Sequence, residues 1–154
     1  MRINPILNTD SYKHSHYVQY PPETQLMSSY IEARGGEFDE TVYFGLQAFL
    51  KGYMQNKITK EDVDEAEDII EAHMPPGFKF NREGWDRIVS EHGGYFPVQI
   101  SAVEEGTKVK TGNVLVQVVN TDPKLAWVTS FVETALLRAI WYPTTVATLS
   151  NTIR

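Results

Sequence analysis

The sequence predicts an α+β fold: a small, mostly antiparallel sheet accompanied by helices. Three observations carry that prediction. The chain has 154 residues, of which 42% are apolar and 22% charged, the balance of a folded domain rather than a disordered segment. Helix-start signals followed by apolar residues at helical spacing occur after Thr59, Asn81 and Asp122. Between the last two lies a β-branched stretch punctuated by glycine turns.

The elements follow in order. A short first helix is expected after Thr9 as N-cap, with Asp10 at its positive end and Pro21 stopping it. Residues 26–33 read as a strand carrying Met27, Tyr30 and Ile31, and Gly35-Gly36 gives a flexible turn. Residues 41–44 are strand-like and 46–54 helical. Thr59 and Asp62 form a capping box, Ile58 and Val63 a hydrophobic staple, and Val63, Ala66, Ile69 and Ile70 one apolar stripe. The acidic side of that helix, Glu61 through Glu71, reads as a solvated face or, less simply, as a cation site. The helix after Asn81 turns Trp85, Ile88, Val89 and His92 to one side, with Gly93 as a left-handed stop. Val98, Ile100 and Ala102 alternate with polar residues, and 114–119 is β-branched, so 106–112 is expected inside a hairpin-like sheet. Asp122-Pro123 opens the last helical section, and Pro143 is expected to bend or break it before another helix starts at 144.

Composition excludes several function classes. With no cysteine there is no disulfide framework, thiolate nucleophile or thiolate metal site. A net charge of −6 disfavours coating nucleic acid or an anionic membrane. The longest apolar region, 125–142, is interrupted by Glu133 and Arg138, so it reads as a buried helix and not a membrane span. The N-terminus lacks the apolar core of a signal peptide, and a cytoplasmic location is the expectation. The 125–142 helix is apolar nearly all round and needs cover on most sides. Either this sequence was part of something larger, or it assembles with other chains, or it is a compact domain that covers itself.

No complete catalytic constellation is legible. His14 and His16 fall on different faces of a helix, and His73 and His92 sit at helix ends, where imidazoles can satisfy carbonyls. There is no Walker loop, dinucleotide fingerprint or serine elbow. The unusual stretch is Thr9-Asp10-Ser11-Tyr12-Lys13-His14-Ser15-His16-Tyr17, which crowds acid, base, hydroxyl and aromatic groups onto one short helix. Tyr12 offers a flat ring for stacking, and Asp10 can accept from an amide or orient a cation. Arg34, beside two glycines, can present its fork to a phosphate.

The order of motifs then points further. Asn8-Thr9-Asp10-Ser11-Tyr12-Lys13, His16-Tyr17, Gln19-Tyr20-Pro21-Pro22 and Ser29-Tyr30-Ile31-Glu32-Ala33-Arg34 resemble the opening of the nicotinamide phosphoribosyltransferase family. So do 40–47, Gly112-Asn113-Val114-Leu115, Asn120-Thr121-Asp122-Pro123 and Trp141-Tyr142-Pro143-Thr144-Thr145-Val146-Ala147-Thr148. The resemblance implies transfer of a phosphoribosyl group from phosphoribosyl pyrophosphate to the pyridine nitrogen of nicotinamide. It also implies Mg2+ dependence and a homodimer with interface active sites, with no nucleic acid or membrane partner. On this resemblance, residues 1–122 form an N-terminal α/β domain and 123–154 a helical approach to an irregular α/β barrel absent here, in a family about three times as long. Tyr12 matches the tyrosine that stacks on nicotinamide from the neighbouring subunit, Asp10 the acid beside it, and Arg34 the arginine that reaches toward phosphate. The family's catalytic residues belong to the barrel, so no catalytic position is assigned in this chain and it is expected to be inactive alone. The alternatives are a nicotinate-using relative and a stand-alone module pairing with a separate barrel subunit.

Overall fold

The computed structural model describes residues 3–153. Expectations touching Met1, Arg2 and Arg154 lie outside the described residues. A 3-10 turn (Pro5–Leu7) and a 3-10 helix (Ser11–Val18) precede β1 (Ser28–Glu32) and β2 (Glu40–Val42). Then come α1 (Leu46–Phe49), which loosens into a π-helical segment (Leu50–Met54), α2 (Lys60–His73) and α3 (Arg82–Glu91). The remaining strands are β3 (Val98–Ala102), β4 (Lys108–Lys110) and β5 (Val114–Asn120). A 3-10 turn (Pro123–Leu125), α4 (Val128–Phe131) and α5 (Glu133–Thr152) follow. The architecture is α+β with antiparallel sheets, as the sequence predicts.

β5 is the centre of a three-stranded sheet ordered β1-β5-β3, which is why it is the most continuously apolar strand. Leu115, Val116 and Val118 are buried on it while Gln117 faces out. Its last residue, Asn120, is buried with its polar atoms satisfied. It accepts from the Met27 amide at 2.7 Å and donates to the carbonyls of Gln25 and Asp122.

The capping box of α2 forms as expected. Thr59 Oγ1 accepts from the Asp62 amide, and Asp62 Oδ2 accepts from the Thr59 amide at 2.8 Å. Ile58 and Val63, the staple pair, are both buried. Ile69 departs from the expected stripe: it is 45% exposed, because Val63, Ala66 and Ile70 already define the inward line and Ile69 falls to its edge. The acidic face is not simply solvated either. Arg82 of α3 reaches Asp64 and Glu67 at 2.7 Å each, and also Asp86 of its own helix at 3.0 Å. Its pKa is pushed further up, first by the hydrogen bonds to Asp86 and Glu67.

α3 delivers Trp85 into the core, edge-on to Trp127 at 4.9 Å and to Phe131 at 4.8 Å. Past its end, His92 meets the Asp122 carboxylate at 2.8 Å rather than a helix carbonyl. Burial alone would raise the Asp122 pKa. The Lys124 amide, His92 and Arg87 outweigh it and draw the value down to about 2.

Three further expectations are corrected. Thr9 does not cap the first helix; its hydroxyl donates to the Phe131 carbonyl, and Asp10 occupies the N-cap position. The 106–112 segment is not a local hairpin: β4 pairs with β2, while β3 and β5 pair with each other. Pro143 does not break the last helix, since α5 runs through it. A proline clashes with the carbonyl four residues back and leaves it without a donor. Here that carbonyl, of Ala139, faces Gly45: a Cβ added to Gly45 would lie 2.5 Å from the oxygen and 2.9 Å from Pro143 Cβ. One turn further on, Thr144 Oγ1 accepts from the Phe44 amide, and Thr148 Oγ1 accepts from that of Val42. Helix hydroxyls thus satisfy the edge of β2.

α5 packs against β2, α1 and α4, and one side of it is exposed. Leu137, Trp141, Tyr142, Val146 and Leu149 are all exposed, Trp141 at 69%. Among the described residues, no helix is long and apolar enough to cross a membrane.

Candidate functional site

The Ser11–Val18 helix is polar yet firmly held. With three residues per turn, Tyr12, Ser15 and Val18 line its outer side, while His14 and Tyr17 turn inward. Lys13 is 4% exposed, unusual for a lysine. Its ammonium donates to the Ser130 carbonyl at 2.8 Å and to Glu133 at 2.7 Å. His14 lies edge-on to Phe131 at 5.4 Å. Burial, and then the nearby His73, lowers its pKa to about 4, so the ring is neutral at pH 7. His73 itself meets the Ser11 hydroxyl at 2.5 Å, a side-chain partner where a carbonyl was expected. Two buried anchors thus directly follow the exposed Tyr12.

Tyr12 is 57% exposed and tilts against His16 at 5.2 Å between ring centres. Its hydroxyl donates to Asp10 Oδ2 at 3.4 Å. Its pKa is raised, first by burial and then by the charges of Asp10 and Glu133. The same Asp10 oxygen accepts from the Thr134 hydroxyl of α5 at 2.5 Å, which fixes the carboxylate beside the ring. An exposed aromatic face next to an oriented carboxylate suits a flat ligand carrying a hydrogen-bond donor.

Arg34 sits elsewhere. It follows β1 in a loop that passes through Gly35 and Gly36, with φ of 121° and 141°. The loop and α5 enclose a cleft of about 700 Å³. Arg34 lines it and has no hydrogen bond or ion pair among the described residues. The structure therefore brings Asp10 and Tyr12 together, and Tyr12 does not line the cleft that Arg34 lines. What runs from one to the other is α5. Thr134 holds Asp10, and Arg138 both lines the cleft and donates to Asn8 Oδ1 at 3.2 Å. Sequence reasoning missed both residues. For Arg138 a signal existed, since it and Glu133 are the two charges interrupting an apolar helix. Both turn out to hold the segment bearing Tyr12.

The model of the family described as nicotinamide phosphoribosyltransferase, N-terminal domain, matches residues 4–100. The chain belongs to the nicotinamide phosphoribosyltransferase family. Among similar proteins, the nicotinamide phosphoribosyltransferase of Xanthomonas campestris pv. campestris is 50% identical over 147 residues, covering 96% of this chain and 31% of its own length. That of Acinetobacter baylyi is 27% identical over 162 residues, covering 97% of this chain and 32% of its own. The chain thus spans about a third of the relatives it matches. The crystal structure of human nicotinic acid phosphoribosyltransferase superposes with a TM-score of 0.64 at 21% identity, over 91% of this chain and 26% of that one. That likeness concerns the fold alone.

Proposed function

We propose that the chain is the N-terminal portion of an enzyme that transfers phosphoribosyl from phosphoribosyl pyrophosphate to nicotinamide, giving nicotinamide mononucleotide and pyrophosphate. The observation that carries this reading is the 50% identity to the Xanthomonas relative along nearly the whole chain. Supporting it are an exposed aromatic ring beside an oriented acid and a guanidinium that lines a cleft and has no ion pair among the described residues. The reaction breaks the bond from the ribose carbon to pyrophosphate as the pyridine nitrogen attacks that carbon. Such a transfer needs the ring aimed at the carbon and the leaving group held by positive charge. In this reading Tyr12 stacks on the nicotinamide ring, Asp10 holds Tyr12 and the amide side, and Arg34 meets a phosphate.

These three side chains bind and orient; none moves a proton at the reacting centre. Among the described residues there is no group of three or more histidine, aspartate or glutamate side chains able to hold a metal. The Mg2+ that the family resemblance implies therefore has no cradle among them, and no step is assigned to it. The site is completed by a second subunit and by sequence that the relatives have beyond the third matched here. NAD salvage in the cytoplasm, as a homodimer, is the role that follows.

The test is an assay of two polypeptides with nicotinamide, phosphoribosyl pyrophosphate and magnesium. The 154-residue chain alone should form no mononucleotide. The same residues joined to the remaining two thirds of the Xanthomonas relative should form it. A folded, dimeric hybrid without turnover would contradict the reading, and turnover by the chain alone would contradict its incompleteness.

A further inference from the structure

We infer that Arg138 is a second anion-contacting residue of this site, contacting a phosphate or diphosphate group from the α5 side of the cleft that Arg34 also lines. The inference rests on the phosphoribosyl-transfer reading and adds to it a residue on a different element. It starts from helix geometry. Thr134, Arg138, Trp141 and Thr145 stand at i, i+4, i+7 and i+11 on α5, so they share one face. The first of them touches Asp10, and the other three line the cleft. Arg138 is thus the charge midway between the tyrosine side and the arginine side of the candidate site.

Charge decides what the residue is for. The Arg34 wall also carries Glu32 and Glu37, which leave it with more negative than positive charge. An anion approaching Arg34 meets both carboxylates. From its own side, α5 contributes to the cleft only apolar residues, threonines and Arg138. Without Arg138 the charged groups of the cleft would be two carboxylates and one guanidinium; with it, two guanidinium side chains line the same cleft, one from each element. Arg138 is exposed, and its only hydrogen bond among the described residues is to the neutral Asn8 side chain, with no carboxylate partner. Arg82 and Arg87 are each spent on carboxylates. A guanidinium on an apolar helix, next to a cleft and without a counter-charge among the described residues, is placed to take its counter-charge from a ligand.

The experiment titrates the 154-residue chain, labelled at arginine nitrogen, with inorganic pyrophosphate at constant ionic strength and follows the arginine Nε–H signals by NMR. The Arg34 and Arg138 signals should move along one saturation curve while those of Arg82 and Arg87 stay in place. Arg138→Gln should weaken pyrophosphate binding about five-fold or more, and Arg138→Lys should restore part of the loss. Movement of Arg34 with a stationary Arg138, or unchanged affinity in Arg138→Gln, overturns this inference and leaves the proposed function standing. If neither arginine responds, the role given to Arg34 falls with it. The wild-type Arg138 signal reports directly, so the outcome does not depend on the variant folding.

Discussion

His14 is where burial has the clearest consequence. The folded state holds its pKa near 4, against 6.5 for a free imidazole. Between those values the unfolded chain binds the extra proton, so stability is complete above about pH 6.5 and declines as pH falls toward 4. The full loss is on the order of 3 kcal/mol. Urea unfolding midpoints measured at pH 7 and near pH 5 should show the decline, and His14→Gln should flatten it. Lys13 makes a second case. Replacing it with methionine removes the charged hydrogen bond to the Ser130 carbonyl and strips Glu133 of its cation, for an expected loss of about 1–3 kcal/mol in the same assay. Neither residue's burial is legible from composition, since a lysine and a histidine in a polar run read as surface. Their partners lie more than a hundred positions away for Lys13, and on α2 and α4 for His14.

Among the elements, those with local signals could be read and those set by distant contacts could not. The α2 capping box is written within four residues, and it forms. The pairing of β2 with β4 joins strands that α1, α2, α3 and β3 separate in sequence, so no nearby turn could announce it. Pro143 is the sharpest case. Alone it forecasts a broken helix, yet α5 continues because Gly45 leaves room for the Ala139 carbonyl and for the proline ring. Gly45 also has a φ of 113°, where a side chain is strained. Gly45→Ala should therefore cost about 2–4 kcal/mol through strain and overpacking together, read as a lower urea midpoint at unchanged slope. Gly35→Ala meets nothing within 4 Å of the added carbon and should show the backbone strain alone.

At the scale of the whole molecule, the apolar surface of α5 dominates. Trp141, Tyr142, Val146 and Leu149 are all exposed on one long helix, and clustered exposed apolar side chains favour association. The 154-residue chain should self-associate at tens of micromolar, and Trp141→Ser with Leu149→Ser should reduce that in light scattering without lowering the urea midpoint. Family and fold class were legible because many short motifs recur in order. The site's assembly was not, because helix α5 carries it and nothing local ties Thr134 to Asp10 or Arg138 to Asn8.

In the proposed function, Tyr12 and Arg34 complete a phosphoribosyl-transfer site whose reacting centre lies outside this chain. The most direct measurement is steady-state kinetics on the hybrid carrying these residues on the Xanthomonas relative, comparing Tyr12→Ala with the unaltered hybrid. A rise of about ten-fold or more in the KM for nicotinamide, with the KM for phosphoribosyl pyrophosphate little changed, is the predicted result. Equal KM values for nicotinamide in the two hybrids would contradict it.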